Sequence, residues 1–295
     1  MFKRLLSWWQ SSAATTPSAD HPGASANGSL PIPEALWQTV VARLPFVAAL
    51  EADALARLRQ LSGEFLGSKE FSAASGMEID DEICLTIAIQ GCLPILELGL
   101  HWYDDWVGII VYPAEFVIPR EVADEFGVVH KYDDVASGEA WLGGPLIVSW
   151  EDVNQAGDGY NVVIHEFAHK LDMRGDGDAN GLPPLPASAR EGWQAAFDPA
   201  YERFCAAVDA ADALHSPARQ EAAYAALPFD PYAADSPGEF FAVLSETFFE
   251  QPWVFAEAEP ALYRQFCAFY RQDPLTRLPQ REARHGEASP AAGNP

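Results

Sequence analysis

Five consecutive residues, His165 to His169, combine the residue types and the spacing that metal-dependent hydrolysis needs. Two histidines four positions apart lie on one face of a helix, about 6 Å apart, so both rings can reach one zinc ion. Glu166, beside the first histidine, can then act as the general base toward a water that the metal activates. The motif therefore predicts zinc-dependent hydrolysis of peptide bonds. A helix that only carries two surface histidines and a glutamate is the alternative.

The residues around this motif favour a helix with two unlike faces. Either Asp158 or Asn161 can cap its start. One face is apolar and can pack on a core, whereas the other carries the histidines and Asp172 and can face a cleft. Asp172 can accept a hydrogen bond from the second nitrogen of a ligand histidine, although a helix-end carboxylate without that role fits equally well. Lys170 is unusual, because many such helices carry no charge at this position.

The two histidines leave a zinc ion short of ligands, because catalytic zinc normally takes three protein ligands and keeps one open position. A third ligand ten positions after His165 is excluded, since that residue is Gly175. A glutamate on a later helix is the other arrangement, and Glu239 and Glu246 share one face of an apolar helical segment. Carboxylates on a buried helix need a partner, which zinc would supply. Because Glu239 also fits a capping box with Ser236, spacing alone leaves the two glutamates as equal candidates.

The bulk composition argues against several other classes of function. The chain of 295 residues carries 18 basic and 43 acidic residues, for a net charge of −25. Nucleic-acid phosphates and anionic lipid surfaces should repel such a chain, so we expect no direct nucleic-acid binding. The four cysteines form no C-x-x-C pair, which favours reduced thiols and a cytoplasmic location. No apolar segment is long and uninterrupted enough to span a membrane.

The chain divides into a central domain and two ends of different composition. Residues 1–33 and 276–295 are rich in small and polar residues, so we expect a disordered N-terminal segment and a disordered tail. Residues 34–275 are expected to form a single domain. Within it, residues 106–112 and 145–150 have the composition of buried strands, while most other segments are helical. The predicted fold class is α+β, mostly helical, with a small mixed β-sheet beside the helix of the histidine motif.

Two segments resemble a known family of zinc peptidases. Residues 161–172 are similar to the metal helix of the Mlc titration factor A family, and residues 231–246 are similar to its second characteristic segment. The resemblance covers roughly residues 34 to 275 and implies a zincin-like fold, similar to the catalytic domain of anthrax lethal factor. In both groups a tyrosine precedes the third-ligand glutamate by seven residues, which is the spacing of Tyr232 and Glu239.

The resemblance extends to the roles of individual residues. It implies one Zn²⁺ ion with three ligands: His165, His169 and Glu239. It implies two catalytic residues, Glu166 as the base and Tyr232 as a hydrogen-bond donor to the developing oxyanion. Glu246 would then either form a hydrogen bond to a ligand, as its position suggests for Asp172 as well, or take part in an ion pair in the core. For Tyr232, a loop tyrosine packed beside Pro231 is the alternative.

The resemblance also implies an activity and partners. The expected activity is peptide hydrolysis, with an aminopeptidase-like preference, and the expected partners are a peptide and a transcriptional repressor of sugar uptake, Mlc. The alternative is a non-catalytic protein that sequesters a repressor and uses zinc mainly for structure. A purely structural site is disfavoured because such sites are usually closed by four protein ligands. A peptide could add as a strand to an exposed sheet edge, and we expect residues 145–150 to provide that edge.

Overall fold

The computed structural model describes residues 29–123, 129–157 and 159–278. The predicted N-terminal segment and tail lie almost entirely outside these residues. Packing begins slightly before the predicted start of the domain, because Ile32 is buried and the backbone N–H of Leu30 donates to Gly63 O (3.0 Å).

Four helices form the N-terminal part of the structure. The last of them is buried along nearly its whole length, from Ile83 onward, which explains its continuous apolar sequence. Asp80 caps it by accepting a hydrogen bond from the backbone N–H of Ile83 (2.9 Å). The helices are α1 (Glu34–Val41), α2 (Pro45–Ala48), α3 (Ala52–Ser68) and α4 (Asp81–Cys92).

The described residues contain six strands, which form one small sheet and one separate antiparallel pair. They are β1 (Glu70–Ala73), β2 (Gly108–Tyr112), β3 (Phe116–Ala123), β4 (Val129–Ala136), β5 (Gly138–Ala140) and β6 (Leu146–Ser149). The sheet has the order β1-β2-β6-β5, in which β1, β2 and β6 are parallel and β5 is antiparallel. β3 and β4 pair with each other. The sheet is therefore small and mixed, as predicted.

The prediction that residues 145–150 form an exposed edge of the sheet is wrong. Residues 145–150 contain β6, which lies between β2 and β5 and is buried at all four positions. Its apolar sequence reflects burial on both faces, as an interior strand requires. The edge strand on this side of the sheet is the three-residue β5.

Helices and the loops between them make up the rest of the described chain. The helices are α5 (Trp150–Val153), α6 (Val162–Met173), α7 (Ala187–Asp212), α8 (Pro217–Tyr224), α9 (Pro237–Glu250), α10 (Pro252–Ala258) and α11 (Pro260–Tyr270). Short 3₁₀ helices lie at Leu100–Tyr103, Pro231–Ala234 and Pro274–Thr276. The α+β class with a predominance of helix is confirmed. Among the described residues, no helix combines the length and the apolar character needed to cross a membrane.

Aromatic side chains fix the position of α9. Phe241 packs 5.3 Å from Phe266 of α11, and Phe240 packs 5.3 Å from Phe197 of α7, both between ring centroids. Burial of these rings supplies the free energy that holds α9 in the interior. The same helix contacts α6 along its other side, so the aromatic core brings the glutamates of α9 against the histidine helix.

Candidate metal centre

Asn161 fixes the start of α6, the helix that carries both histidines. Its side-chain oxygen accepts a hydrogen bond from the backbone N–H of Ile164 (2.9 Å), so it is the cap. Its side-chain nitrogen donates to Gln90 Oε1 (2.8 Å) and to Glu250 Oε1 (2.7 Å). Asn161 is fully buried, and the two bonds from its side-chain nitrogen tie the start of α6 to α4 and α9.

Three side chains from α6 and α9 converge on one point. His165 Nε2 lies 2.9 Å from Glu239 Oε2, His169 Nε2 lies 3.2 Å from the same oxygen, and the two Nε2 atoms are 3.1 Å apart. Within the described part of the chain these three residues form a group able to hold a metal ion, with ligand atoms within 4.8 Å of one another. Two imidazole nitrogens and one carboxylate oxygen are a donor set that suits zinc.

Glu239 is strongly held in its ionised form. Burial raises the pKa of this carboxyl, but hydrogen bonds from His165 and His169 outweigh it and hold the pKa well below its usual range. Only the serine half of the predicted capping box is observed, because Ser236 Oγ accepts a hydrogen bond from the backbone N–H of Glu239 (3.2 Å) while the Glu239 carboxylate lies beside the histidines. The capping role uses the backbone of Glu239, so its carboxylate is available to the histidines.

Glu246 lies on the other side of the His165 ring. Its Oε1 is 2.8 Å from His165 Nδ1, and its Oε2 accepts a hydrogen bond from the backbone N–H of Asn161. Burial raises the pKa of Glu246. Burial lowers the pKa of His165, but the two glutamates raise it well above its ordinary value. The sequence spacing did not distinguish Glu239 from Glu246 as the third ligand. In the structure only Glu239 lies beside the Nε2 atoms of both histidines.

Glu166 is buried beside the ligand cluster, with an oxygen that has no hydrogen-bond partner. The residue is 5% exposed, and its Oε2 lacks a partner among the described residues. Burial raises the pKa of this carboxyl to about 7, against the lowering effect of His165 and His169. A Cβ atom at Gly138 of β5 would lie 2.4 Å from Glu166 Oε1. The edge strand therefore touches the glutamate through its backbone, which only glycine permits.

A cavity of about 210 Å³ opens over the ligand atoms. Strand β5 forms one of its walls, and Tyr232, Met173 and Ala179 also line it. A larger cavity of about 610 Å³ lies against α1 and α3, around Trp37, away from the ligand cluster. The smaller cavity is the one that the ligands and Glu166 share.

Tyr232 lies at the mouth of the smaller cavity. Its ring centroid is 6.1 Å from that of His165, and the residue is 54% exposed. Asp230 holds the backbone here by accepting a hydrogen bond from the N–H of Tyr232 (2.9 Å). Burial and then the charge of Glu239 raise the pKa of the Tyr232 hydroxyl, so the hydroxyl keeps its proton and remains a donor.

Of the two roles that the sequence left open for Asp172, the structure does not show the hydrogen bond to a ligand histidine. It is fully buried, and its Oδ2 accepts a hydrogen bond from the backbone N–H of Gly181 (2.7 Å). Its Oδ1 and His169 Nδ1 are both buried without a partner among the described residues. Burial raises the pKa of Asp172 to about 7. The carboxylate thus ties the end of α6 to the loop after it.

Comparison with known proteins identifies the family. The family described as Glucose-regulated metallo-peptidase M90 matches residues 23–271. The chain belongs to this family. The resemblance inferred from the histidine helix and from residues 231–246 is thereby confirmed.

Several relatives of this M90 family member carry the name Mlc titration factor A. The protein from Enterobacter sp. (strain 638) is 39% identical over 262 residues, which cover 88% of this chain and 94% of the relative. The protein from Escherichia fergusonii is 40% identical over 268 residues, which cover 90% and 95%. The protein from Salmonella arizonae is 41% identical over 245 residues, which cover 82% and 93%.

Membership of the M90 metallopeptidase family implies a metal, and the histidine–glutamate cluster is the candidate site for it. Sequence reasoning found its ligand atoms but missed Gly138. A glycine within a strand indicates close backbone approach, but a three-residue strand shows too little alternation to be recognised as one. The partners of Lys170 were missed as well, because they are backbone carbonyls far away in sequence.

Proposed function

We propose that this protein is a zinc-dependent peptidase with one zinc ion held by His165, His169 and Glu239. The observation that carries the proposal is the convergence of three donor atoms beside a buried, unpartnered oxygen of Glu166. Zinc, when bound, supplies a Lewis acid that polarises a carbonyl and makes water more acidic.

Glu166 is the proposed general base. Glu166 lines the cavity together with both histidines, one of its buried oxygens has no partner among the described residues, and its raised pKa lies close to neutral pH. A carboxyl with such a pKa can take a proton from the attacking water and return it to the leaving amine. Tyr232 is the proposed donor to the oxyanion, supported by its protonated hydroxyl and its place in the cavity wall.

Two buried carboxylates are proposed to support the ligands. Glu246 accepts the Nδ1 proton of His165, which leaves the Nε2 lone pair for the metal. Asp172 supports the His169 end of α6 through Gly181, and its Oδ1 has no partner among the described residues. The zinc affinity of Asp172→Asn tests this role, and we expect it to be about tenfold weaker. If the zinc affinity of Asp172→Asn is unchanged, Asp172 does not support a ligand, and its role is limited to the hydrogen bond with the loop after α6.

The proposed substrate is a peptide that adds to β5 as an antiparallel strand. Among the described strands β5 pairs with β6 alone, and it borders the cavity. The small cavity leaves room for few residues, which supports an aminopeptidase-like preference. A cytoplasmic location is proposed from the cysteines, which are all free in the described structure.

Glu166→Gln tests the peptidase proposal. The variant should fold, bind one zinc ion, and lose at least about 100-fold in kcat toward peptides, because general-base catalysis contributes that much or more. Glu151→Gln, an exposed glutamate at the start of α5, is the matched control and should keep full activity. Hydrolysis by Glu166→Gln at the wild-type rate would refute the mechanism.

A transcriptional repressor is the second proposed partner. The name of the relatives, Mlc titration factor A, refers to titration of Mlc, and a net charge of −25 suits a basic partner surface. Capture of purified Mlc by Glu166→Gln would separate this role from catalysis. Failure of wild-type protein to bind Mlc would leave peptide hydrolysis as the sole proposed activity.

A further inference from the structure

Lys170 is a buried ammonium group directly after the second histidine, and the proposed reaction does not use it. The residue is 4% exposed. Its Nζ lies 2.5 Å from Trp141 O, 2.9 Å from Gly144 O and 3.5 Å from Pro145 O. Burial lowers the pKa of this lysine to about 8. Burying an ammonium group is unfavourable unless polar atoms surround it, and here carbonyl oxygens do so.

All three carbonyls belong to the turn that joins β5 to β6. The turn is closed by two backbone bonds, from Trp141 N to Pro145 O (3.3 Å) and from Gly144 N to Trp141 O (3.0 Å). Trp141 O and Pro145 O therefore each accept one hydrogen bond from within the turn and another from Lys170. Lys170 thus links this turn to α6, next to the candidate ligand His169.

Strand β5 leads directly into this turn, and it also packs on α6. It is three residues long and pairs, among the described strands, with β6 alone. At its other end, Ser137 O accepts a hydrogen bond from the backbone N–H of Ser149 (2.7 Å). Between the two ends, Gly138 packs against Glu166. A shift of the turn would therefore move the strand relative to the general base.

We propose that Lys170 is a positioning residue whose ammonium group clamps the β5–β6 turn to the metal helix and so fixes the edge strand for substrate. This inference rests on the proposed peptidase function, since it assigns the purpose of the clamp to peptide binding along β5. Uniform binding of substrate along a strand affects KM more than kcat. Loss of the clamp should therefore appear mainly in KM.

Lys69 offers a matched control. It is also buried, and its Nζ donates to Tyr103 O and to Trp106 O, both at 2.5 Å. The two lysines contact the same indole ring, with Nζ at 4.0 Å (Lys69) and 4.9 Å (Lys170) from the Trp106 centroid. Lys69→Met removes the same kind of group but leaves the turn untouched.

The experiment compares Lys170→Met with Lys69→Met in the zinc-loaded protein. Hydrogen exchange of the backbone amides of residues 138–144, zinc content, KM and kcat are measured for each. Lys170→Met should keep its zinc, raise KM about tenfold with kcat within about threefold, and speed exchange at least about tenfold. Lys69→Met should leave KM and this exchange at wild-type values. Lys170→Arg keeps charged donors and should hold KM within about threefold.

Several results would overturn the inference. One is a Lys170→Met variant whose KM and exchange differ no more from wild type than those of Lys69→Met. Another is a loss of kcat alone. If the methionine variant does not fold, Lys170→Gln takes its place, and KM and exchange that match those of Lys69→Met would contradict the clamp. Zinc content and exchange need no catalysis, so they test the clamp even if Glu166→Gln disproves the peptidase mechanism.

Discussion

His165 and Glu246 meet through the ring nitrogen that faces away from the proposed metal position. The Nδ1–Oε1 distance is 2.8 Å, while the opposite nitrogen, Nε2, lies 2.9 Å from Glu239 Oε2. One imidazole ring therefore bridges two glutamates that stand two turns apart on α9. The position of this ring depends on α9 at both nitrogens, so the two glutamates have separable effects on metal binding.

Removal of each glutamate should give different zinc affinities. Glu239→Ala removes a ligand atom, and we expect the purified protein to hold little or no zinc. Glu246→Ala removes only the acceptor for Nδ1, and we expect zinc binding to weaken by about 10- to 100-fold. Competition with a chelator of known affinity measures both. Retention of zinc by Glu239→Ala together with its loss from Glu246→Ala would reverse the ligand assignment.

A methyl group at position 138 should disturb the general base without removing the metal. In Gly138→Ala the new Cβ would lie 2.4 Å from Glu166 Oε1, so the carboxylate must move. We expect kcat to fall by about tenfold or more, since small misplacements of catalytic groups are costly, while zinc content stays at one per chain. Gly108→Ala is the control, because its Cβ would meet only ordinary contact at 3.4 Å. Equal kcat values for the two variants would contradict the role of Gly138.

The sequence predicts local features of the site better than contacts between distant segments. The histidine helix could be predicted because its ligand spacing and its apolar face follow from one helical period. The edge strand could not, since β5 has three residues and β6 has the more strand-like sequence. The partner of Glu166, Gly138, lies in that same unrecognised strand. Asp172 bonds to Gly181 instead of a histidine because the loop after α6 folds back onto it.

The ionisation of Lys69 should make the free energy of unfolding depend on pH in the alkaline range. Burial lowers its pKa from 10.5 to about 8 in the folded protein. Between these values the unfolded chain binds more protons than the folded chain, so this group makes the free energy of unfolding rise with pH, by at most about 1.4 kcal/mol per pH unit. Urea unfolding of wild type and Lys69→Met at several pH values measures it. The free energy of unfolding of the wild type, relative to that of Lys69→Met, should increase from pH 8 upward. A difference that stays constant with pH would contradict the lowered pKa of Lys69.

Tyr232→Phe should separate transition-state stabilisation from folding. The residue is 54% exposed and lies with its ring 6.1 Å from that of His165, so loss of its hydroxyl should change stability by less than about 0.5 kcal/mol. If the hydroxyl donates to the oxyanion, kcat should fall by about 100-fold with little change in KM or zinc content. Tyr160→Phe is the control, because this tyrosine is 40% exposed and bonds Asp152 (3.3 Å) rather than facing the ligands. If Tyr232→Phe is as active as Tyr160→Phe, the Tyr232 hydroxyl has no catalytic role, and the residue only lines the cavity.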